Sequence, residues 1–89
     1  MTERRSKLEI ILNVLSAVHD GIDKPTRIMY AANMSWNPTQ EVLKRLVAEG
    51  HLRVIEEPSK LRAKKRYLIT EKGISVLRYF KGAEELLKI

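Results

Sequence analysis

Residues 24–52 hold two short helical patterns separated by a polar break, and this stretch constrains the fold more than any other part of the chain. One side of the first pattern is apolar and consists of Ile28, Met29 and Ala32. The other side consists of Thr26, Arg27 and Tyr30. The first side is predicted to pack on a core, which leaves the second side free to contact a partner.

The break, Asn33-Met34-Ser35, contains the polar residues of a turn and of a helix N-cap. The second helix is capped by Ser35 or by Asn37, and both starts place Pro38 in the first turn. The apolar arc of this helix consists of Trp36, Thr39, Val42, Leu43, Leu46 and Val47. The opposite arc consists of Asn37, Gln40, Glu41, Lys44 and Ala48. Gly50 follows as a predicted C-cap.

Two short helices joined by a tight turn resemble a helix-turn-helix, whose second helix reads the major groove. The side chains predicted to reach bases are Asn37, Gln40 and Lys44. Those predicted to lie against the phosphate backbone are Thr26, Arg27 and Tyr30. Glu41 is expected to repel phosphate unless it accepts a hydrogen bond from cytosine or pairs with Arg45. Trp36 lies in phase with the apolar arc and is predicted to be a core or rim aromatic.

Apolar residues at helical spacing predict a first helix over residues 8–18. Ser6 and Glu9 form the sequence pattern of a capping box at its start. Alternation over residues 52–56 predicts a strand, and residues 67–69 predict a returning strand. Five cations lie between these two predicted strands: Lys60, Arg62, Lys64, Lys65 and Arg66. The hairpin is therefore predicted to be a basic wing that contacts phosphates.

Thr70 is predicted to cap a final helix with an apolar seam. The seam consists of Val76, Phe80, Ala83 and Leu87, and Leu86 lies beside it. The seam can pack on the chain's own first helix or pair with a second copy, and the apolar stripe outlasts the apparent need of so small a core. We therefore expect a homodimer through this helix.

The predicted fold class is mainly α with a small β-hairpin (α+β), a winged helix-turn-helix with an added C-terminal helix. A single domain is expected over residues 1–89. It comprises an N-terminal tail over 1–6, a winged-helix core over 7–70 and a C-terminal helix over 71–89, the possible dimerisation element.

The chain has 17 basic and 11 acidic residues, and the resulting net charge of +6 favours a polyanionic partner. The chain has no cysteine and no long apolar run or signal peptide, so we expect no membrane span and a cytoplasmic, nucleoid-associated protein. His19 is expected to be partly buried, and neither it nor His51 has a second ligand at metal-binding spacing. No metal site, cofactor, small-molecule substrate or enzymatic activity is expected.

Three segments, RSKLEII, KPTRIMYAANMS and YLITEKG, are similar to the archaeal ten-kilodalton winged-helix DNA-binding proteins. The similarity covers about residues 5–77 and is most specific in TRIMYAANMS. It implies binding of double-stranded DNA without catalysis, as a chromatin-type protein or transcriptional regulator. It also implies a homodimer with paired, antiparallel C-terminal helices. The C-terminal helix predicted here is shorter than the family's, and it contains Gly82, which costs about 1 kcal/mol relative to Ala.

Two other functions remain open at the level of sequence. Glu41, Glu49 and the apolar C-terminal stripe also suit a winged-helix protein-interaction module of the transcription machinery. RNA binding is a further alternative, although the predicted hairpin lacks aromatic residues arranged to stack on bases.

Overall fold

The computed structural model describes residues 7–58 and 64–87. The described residues form four helices and one hairpin. In chain order these are α1 (Lys7–His19), α2 (Pro25–Ala31), α3 (Trp36–Ala48), β1 (Leu52–Glu57), β2 (Lys64–Ile69) and α4 (Glu71–Leu87). The two strands are antiparallel neighbours. This order confirms the predicted winged helix-turn-helix with an additional C-terminal helix.

Local sequence explains how α3 begins and ends. Ser35 is the N-cap residue, which decides between the two predicted starts and places Pro38 at the third helical position. The Ser35 side chain makes no capping hydrogen bond; instead, the Thr39 hydroxyl donates to the Ser35 carbonyl at 2.8 Å. That bond satisfies the Thr39 hydroxyl, whose side chain is fully buried. Asn33 and Gly50 adopt positive φ angles of 54° and 82°, as the turn and the helix end require.

The hydrophobic core lies where α1, α2 and α3 meet the hairpin and the first half of α4. It consists of Val14, Leu15, Val18, Ile28, Ala32, Leu43, Leu46, Leu52, Tyr67 and Leu77. The apolar arcs predicted for α1, α2 and α3 supply most of these side chains. The expectation that His19 is partly buried was wrong, because the buried face of α1 ends at Val18 and the histidine side chain is exposed.

The hairpin is longer than the alternation of apolar residues indicates. β2 begins at Lys64, three residues before the predicted strand, and β1 extends to Glu57. Pairing continues because the added positions place opposite charges across the ladder, with Glu57 opposite Lys64 and Glu56 opposite Lys65. The proposed cap Ser6 and the wing residues Lys60 and Arg62 lie outside the described residues. Among the described helices, none is long and apolar enough to cross a membrane.

Candidate nucleic-acid interface

The outward face of α3 is polar and small. Thr39, Leu43 and Leu46 point into the core and are buried, and the opposite side is exposed. The exposed side carries Asn37, Glu41, Lys44 and Ala48. Gln40 lies at the edge of this face and is half-buried rather than exposed, because its helical angle is close to that of Val47, which packs against the core. Its contact with a base stays a prediction. The exposed hydrogen-bonding side chains of this face are therefore Asn37, Glu41 and Lys44, with Gln40 at its edge.

α2 presents a second exposed surface beside α3. Ile28 is fully buried, whereas Thr26, Arg27 and Tyr30 are exposed, as predicted. Trp36, at the first position of α3, is 48% exposed, which makes it a rim residue rather than a core residue. Contact of these side chains with a nucleic acid stays a prediction.

Arg66 connects the wing to the loop between α1 and α2. Its Nη2 lies 2.7 Å and its Nε 2.8 Å from Oδ2 of Asp23, and its Nη1 lies 3.3 Å from Oε1 of Glu57. The neighbouring Tyr67 N–H donates to the Asp23 carbonyl at 2.9 Å. The hydrogen bonds to Asp23 and then to Glu57 raise the pKa of Arg66, so the guanidinium stays charged. Arg66 therefore links β2 to Asp23 and to β1 through all three of its guanidinium nitrogens, which leaves it less free than the other described wing cations to contact a partner.

The other wing cations differ in how freely they face solvent. Lys65 lies 4.0 Å from Oε1 of Glu56, and both side chains are exposed, so this ion pair is weak. Lys64 forms no ion pair with any residue in 7–58 or 64–87. The sequence segment contains five cations and no acid, but the fold supplies acids from Asp23 and β1. Phosphate contact by these wing cations remains a prediction.

Thr70 joins the end of α3, the start of β1 and the start of α4. Its hydroxyl donates to the carbonyls of Gly50 and His51 at 2.7 and 3.0 Å, and its amide donates to the His51 carbonyl at 3.1 Å. The same hydroxyl accepts from the Gly73 N–H at 3.1 Å, which confirms the predicted cap of α4. The hydroxyl proton is shared between the two carbonyls, and together with the amide bond it ties the start of α4 to the segment that follows α3.

α4 changes character along its length. Leu77 is buried and Val76 packs against the core, whereas Tyr79, Leu86 and Leu87 are 72%, 86% and 68% exposed. Phe80 is half-buried and stacks edge-on against Tyr79, with ring centroids 5.2 Å apart. The first half of the helix serves the domain, and the second half presents an apolar surface. Nowhere in the described chain do three potential metal-ligating side chains cluster.

Comparisons with known proteins support this interpretation of the fold. The winged helix-turn-helix family matches residues 4–88. An uncharacterized protein of Methanocaldococcus jannaschii is 33% identical over 58 residues, which are 65% of this chain and 60% of that protein, so less than two thirds of the relative is matched.

Solved structures of winged-helix proteins superimpose on this chain. The DNA-binding protein Sso10a-2 of Sulfolobus solfataricus superimposes with a TM-score of 0.77 at 26% identity, covering 94% of this chain and 83% of that one. A PadR family transcription regulator of Clostridium difficile superimposes with a TM-score of 0.76 at 16% identity, covering 93% and 92% of the two chains. The predicted similarity to archaeal winged-helix DNA-binding proteins is confirmed, and the chain belongs to the winged helix-turn-helix family and shares the fold of these two proteins.

Proposed function

We propose that this protein binds double-stranded DNA without catalysis, as a transcription regulator or a chromatin-type architectural protein. The observation that carries the proposal is the exposed polar face of α3 beside a basic hairpin whose Arg66 pairs with Asp23 and Glu57. A narrow helix face of this kind fits the major groove, and the wing then lies along the neighbouring backbone. The net charge of +6 supports a polyanionic partner.

Each proposed contact has a separate task. Asn37 and Lys44 point outward from α3 and reach base edges, with Gln40 at the side of the face. The exposed side of α2 carries Thr26, Arg27 and Tyr30, which fix the register on phosphates. The wing contributes Lys64, together with Lys60 and Arg62 of the sequence between the two strands, while Lys65 and Arg66 add positive charge beside their acidic partners.

The proposed assembly is a two-fold homodimer through the second half of α4. The exposed Leu86 and Leu87 continue the seam of Val76, Phe80 and Ala83 beyond the part of the helix that packs on the core. Pairing of these surfaces removes apolar area from water in both copies. Such a dimer would present two copies of α3 to half-sites about one helical turn of DNA apart.

Charge reversal in the wing tests the DNA-binding proposal. The double variant Arg62→Glu, Lys64→Glu is expected to weaken binding to any duplex by at least tenfold at fixed salt, because two phosphate contacts become repulsions. The matched control is Arg78→Glu, Lys81→Glu, which makes the same change in net charge at exposed positions of α4. Equal affinity of the two double variants would show that the wing does not contact DNA.

A second candidate function is favoured by the exposed apolar end of α4, which also suits a protein-interaction module of the transcription machinery. Docking of apolar helices depends little on salt, whereas binding through phosphates falls steeply as salt rises. A partner complex that survives high salt, from a protein that retains no duplex at low salt, would favour this alternative.

A further inference from the structure

Glu41 is an acidic side chain at the centre of the surface proposed to face DNA. On α3 it lies almost opposite the buried Thr39, Leu43 and Leu46, in line with Asn37 and Ala48. A solvent-facing carboxylate at this position lowers the affinity for every phosphate-lined groove. Nothing in the packing of α3 requires a glutamate here, because the side chain is exposed.

The structure removes one explanation for this carboxylate. Arg45 is the cation one turn further along α3 that could neutralise Glu41, and the sequence allows that pair. Instead, Nε of Arg45 lies 3.7 Å from Oε1 of Glu49. Within residues 7–58 and 64–87 no ion pair involves Glu41. Its carboxylate oxygens are therefore available to a ligand.

We propose that Glu41 is a specificity-determining residue that accepts a hydrogen bond from the N4 amino group of cytosine in the major groove; this inference rests on the proposed DNA-binding function. An ionised carboxylate only accepts hydrogen bonds, so it is attracted to an amino donor and repelled by the O4 of thymine or the O6 and N7 of guanine. Adenine also offers an amino donor at N6, but its adjacent N7 acceptor repels the carboxylate. Glu41 therefore lowers the affinity for all duplex sequences and in return selects cytosine at one position of each site.

The test is selection from a random duplex pool at low salt by the wild type, Glu41→Gln and Glu41→Ala, followed by sequencing of the retained DNA. The wild type is expected to enrich cytosine about fivefold at one position. Glu41→Gln moves that preference to adenine, whose N6 and N7 pair with a glutamine amide, and Glu41→Ala abolishes it. Both variants bind an unselected duplex more tightly than the wild type. The control Glu85→Gln removes an equal charge from an exposed position on α4 and leaves selection unchanged.

Each contrary outcome has a separate meaning. Identical enrichment at every position by the wild type and both Glu41 variants overturns the inference while the DNA-binding proposal stands. Tighter binding by the variants without any change in base preference also overturns it, because Glu41 is then only a source of repulsion. Failure of the wild type to retain duplex at low salt overturns the proposed function and the inference together. Circular dichroism checks that the variants are folded, as expected for changes at an exposed site.

Discussion

Gly73 and Gly82 lie in the same helix, α4, and their substitution by alanine is predicted to have opposite effects on stability. A Cβ atom at Gly73 would overlap the backbone carbonyl oxygen of His51 and lie 2.7 Å from Cγ1 of Ile69. A Cβ atom at Gly82 would have no heavy atom within 4 Å. Neither neighbour yields easily, because Ile69 packs against the core and the His51 carbonyl is held by two hydrogen bonds from Thr70.

The magnitudes follow from two opposing effects. Overpacking costs about 1–3 kcal/mol, and a backbone neighbour favours the upper end of that range. Replacing glycine by alanine within a helix stabilises the helix by up to about 1 kcal/mol, because alanine has the higher helix propensity. Gly73→Ala is therefore expected to lower the free energy of unfolding by about 2 kcal/mol, or roughly 8–16 °C in Tm for a domain of this size. Gly82→Ala is expected to raise the free energy of unfolding by about 0.5–1 kcal/mol.

Urea denaturation followed by circular dichroism measures both variants against the wild type at one protein concentration. A Gly73→Ala protein as stable as Gly82→Ala would refute the close packing of α4 on the end of α3. A lowered stability with an unchanged denaturant slope would locate the effect in the folded state. The contacts of Thr70 and Gly73 with His51 connect α4 and the hairpin to the end of α3. Gly73→Ala is therefore also expected to weaken DNA binding, whereas Gly82→Ala is expected to leave DNA binding unchanged.

Three further predictions concern the wing, the core and the assembly. Asp23→Asn weakens the ion pair that orients Arg66, so amide hydrogen exchange along β2 is expected to rise; Asp20→Asn, in the same loop, is the control, and equal exchange in both variants would contradict the orienting role. Burial and then the charge of Glu56 raise the pKa of Tyr67, so the folded state holds this proton after the unfolded state has released it. Stability from this group is therefore complete below its ordinary pKa of about 10 and is lost as pH rises through the folded value. Tyr67→Phe is expected to show a smaller alkaline fall in urea midpoint, and an equal fall would count against this cause. Leu86→Glu is expected to convert the dimer to monomer in sedimentation equilibrium at tens of micromolar, and a wild type that is already monomeric there would refute the assembly through α4.

The sequence predicts the elements whose signals are local. The period of apolar residues identified α3, the αL glycine at Gly50 marked its end, and Thr70 marked the start of α4. These signals operate within one or two helical turns, so a single chain displays them directly. The outward position of Asn37 and Lys44 follows from the same helical geometry.

The features that a local pattern could not predict depend on residues distant in sequence. The pairing of Arg66 with Asp23 spans 43 positions, so the basic segment looked as if it had no acidic partner. Arg45 pairs with Glu49 rather than Glu41, although both acids lie four residues away on the same helix. The orientation rule for helical ion pairs favours the acid on the N-terminal side of the cation, which is Glu41, so it does not predict the observed pair. The crowding at Gly73 likewise becomes visible only when α4 is placed against the end of α3.

The most direct test of DNA binding is the salt dependence of affinity for a random duplex, measured with the wild-type protein by fluorescence anisotropy. Contacts by Arg27 and by the wing cations Lys60, Arg62, Lys64 and Lys65 would neutralise about five phosphates. The slope of log K against log salt is then expected to be about −4 to −5. A slope near zero, or no binding at low salt, would contradict the proposal that α3 and the wing form a DNA-binding surface.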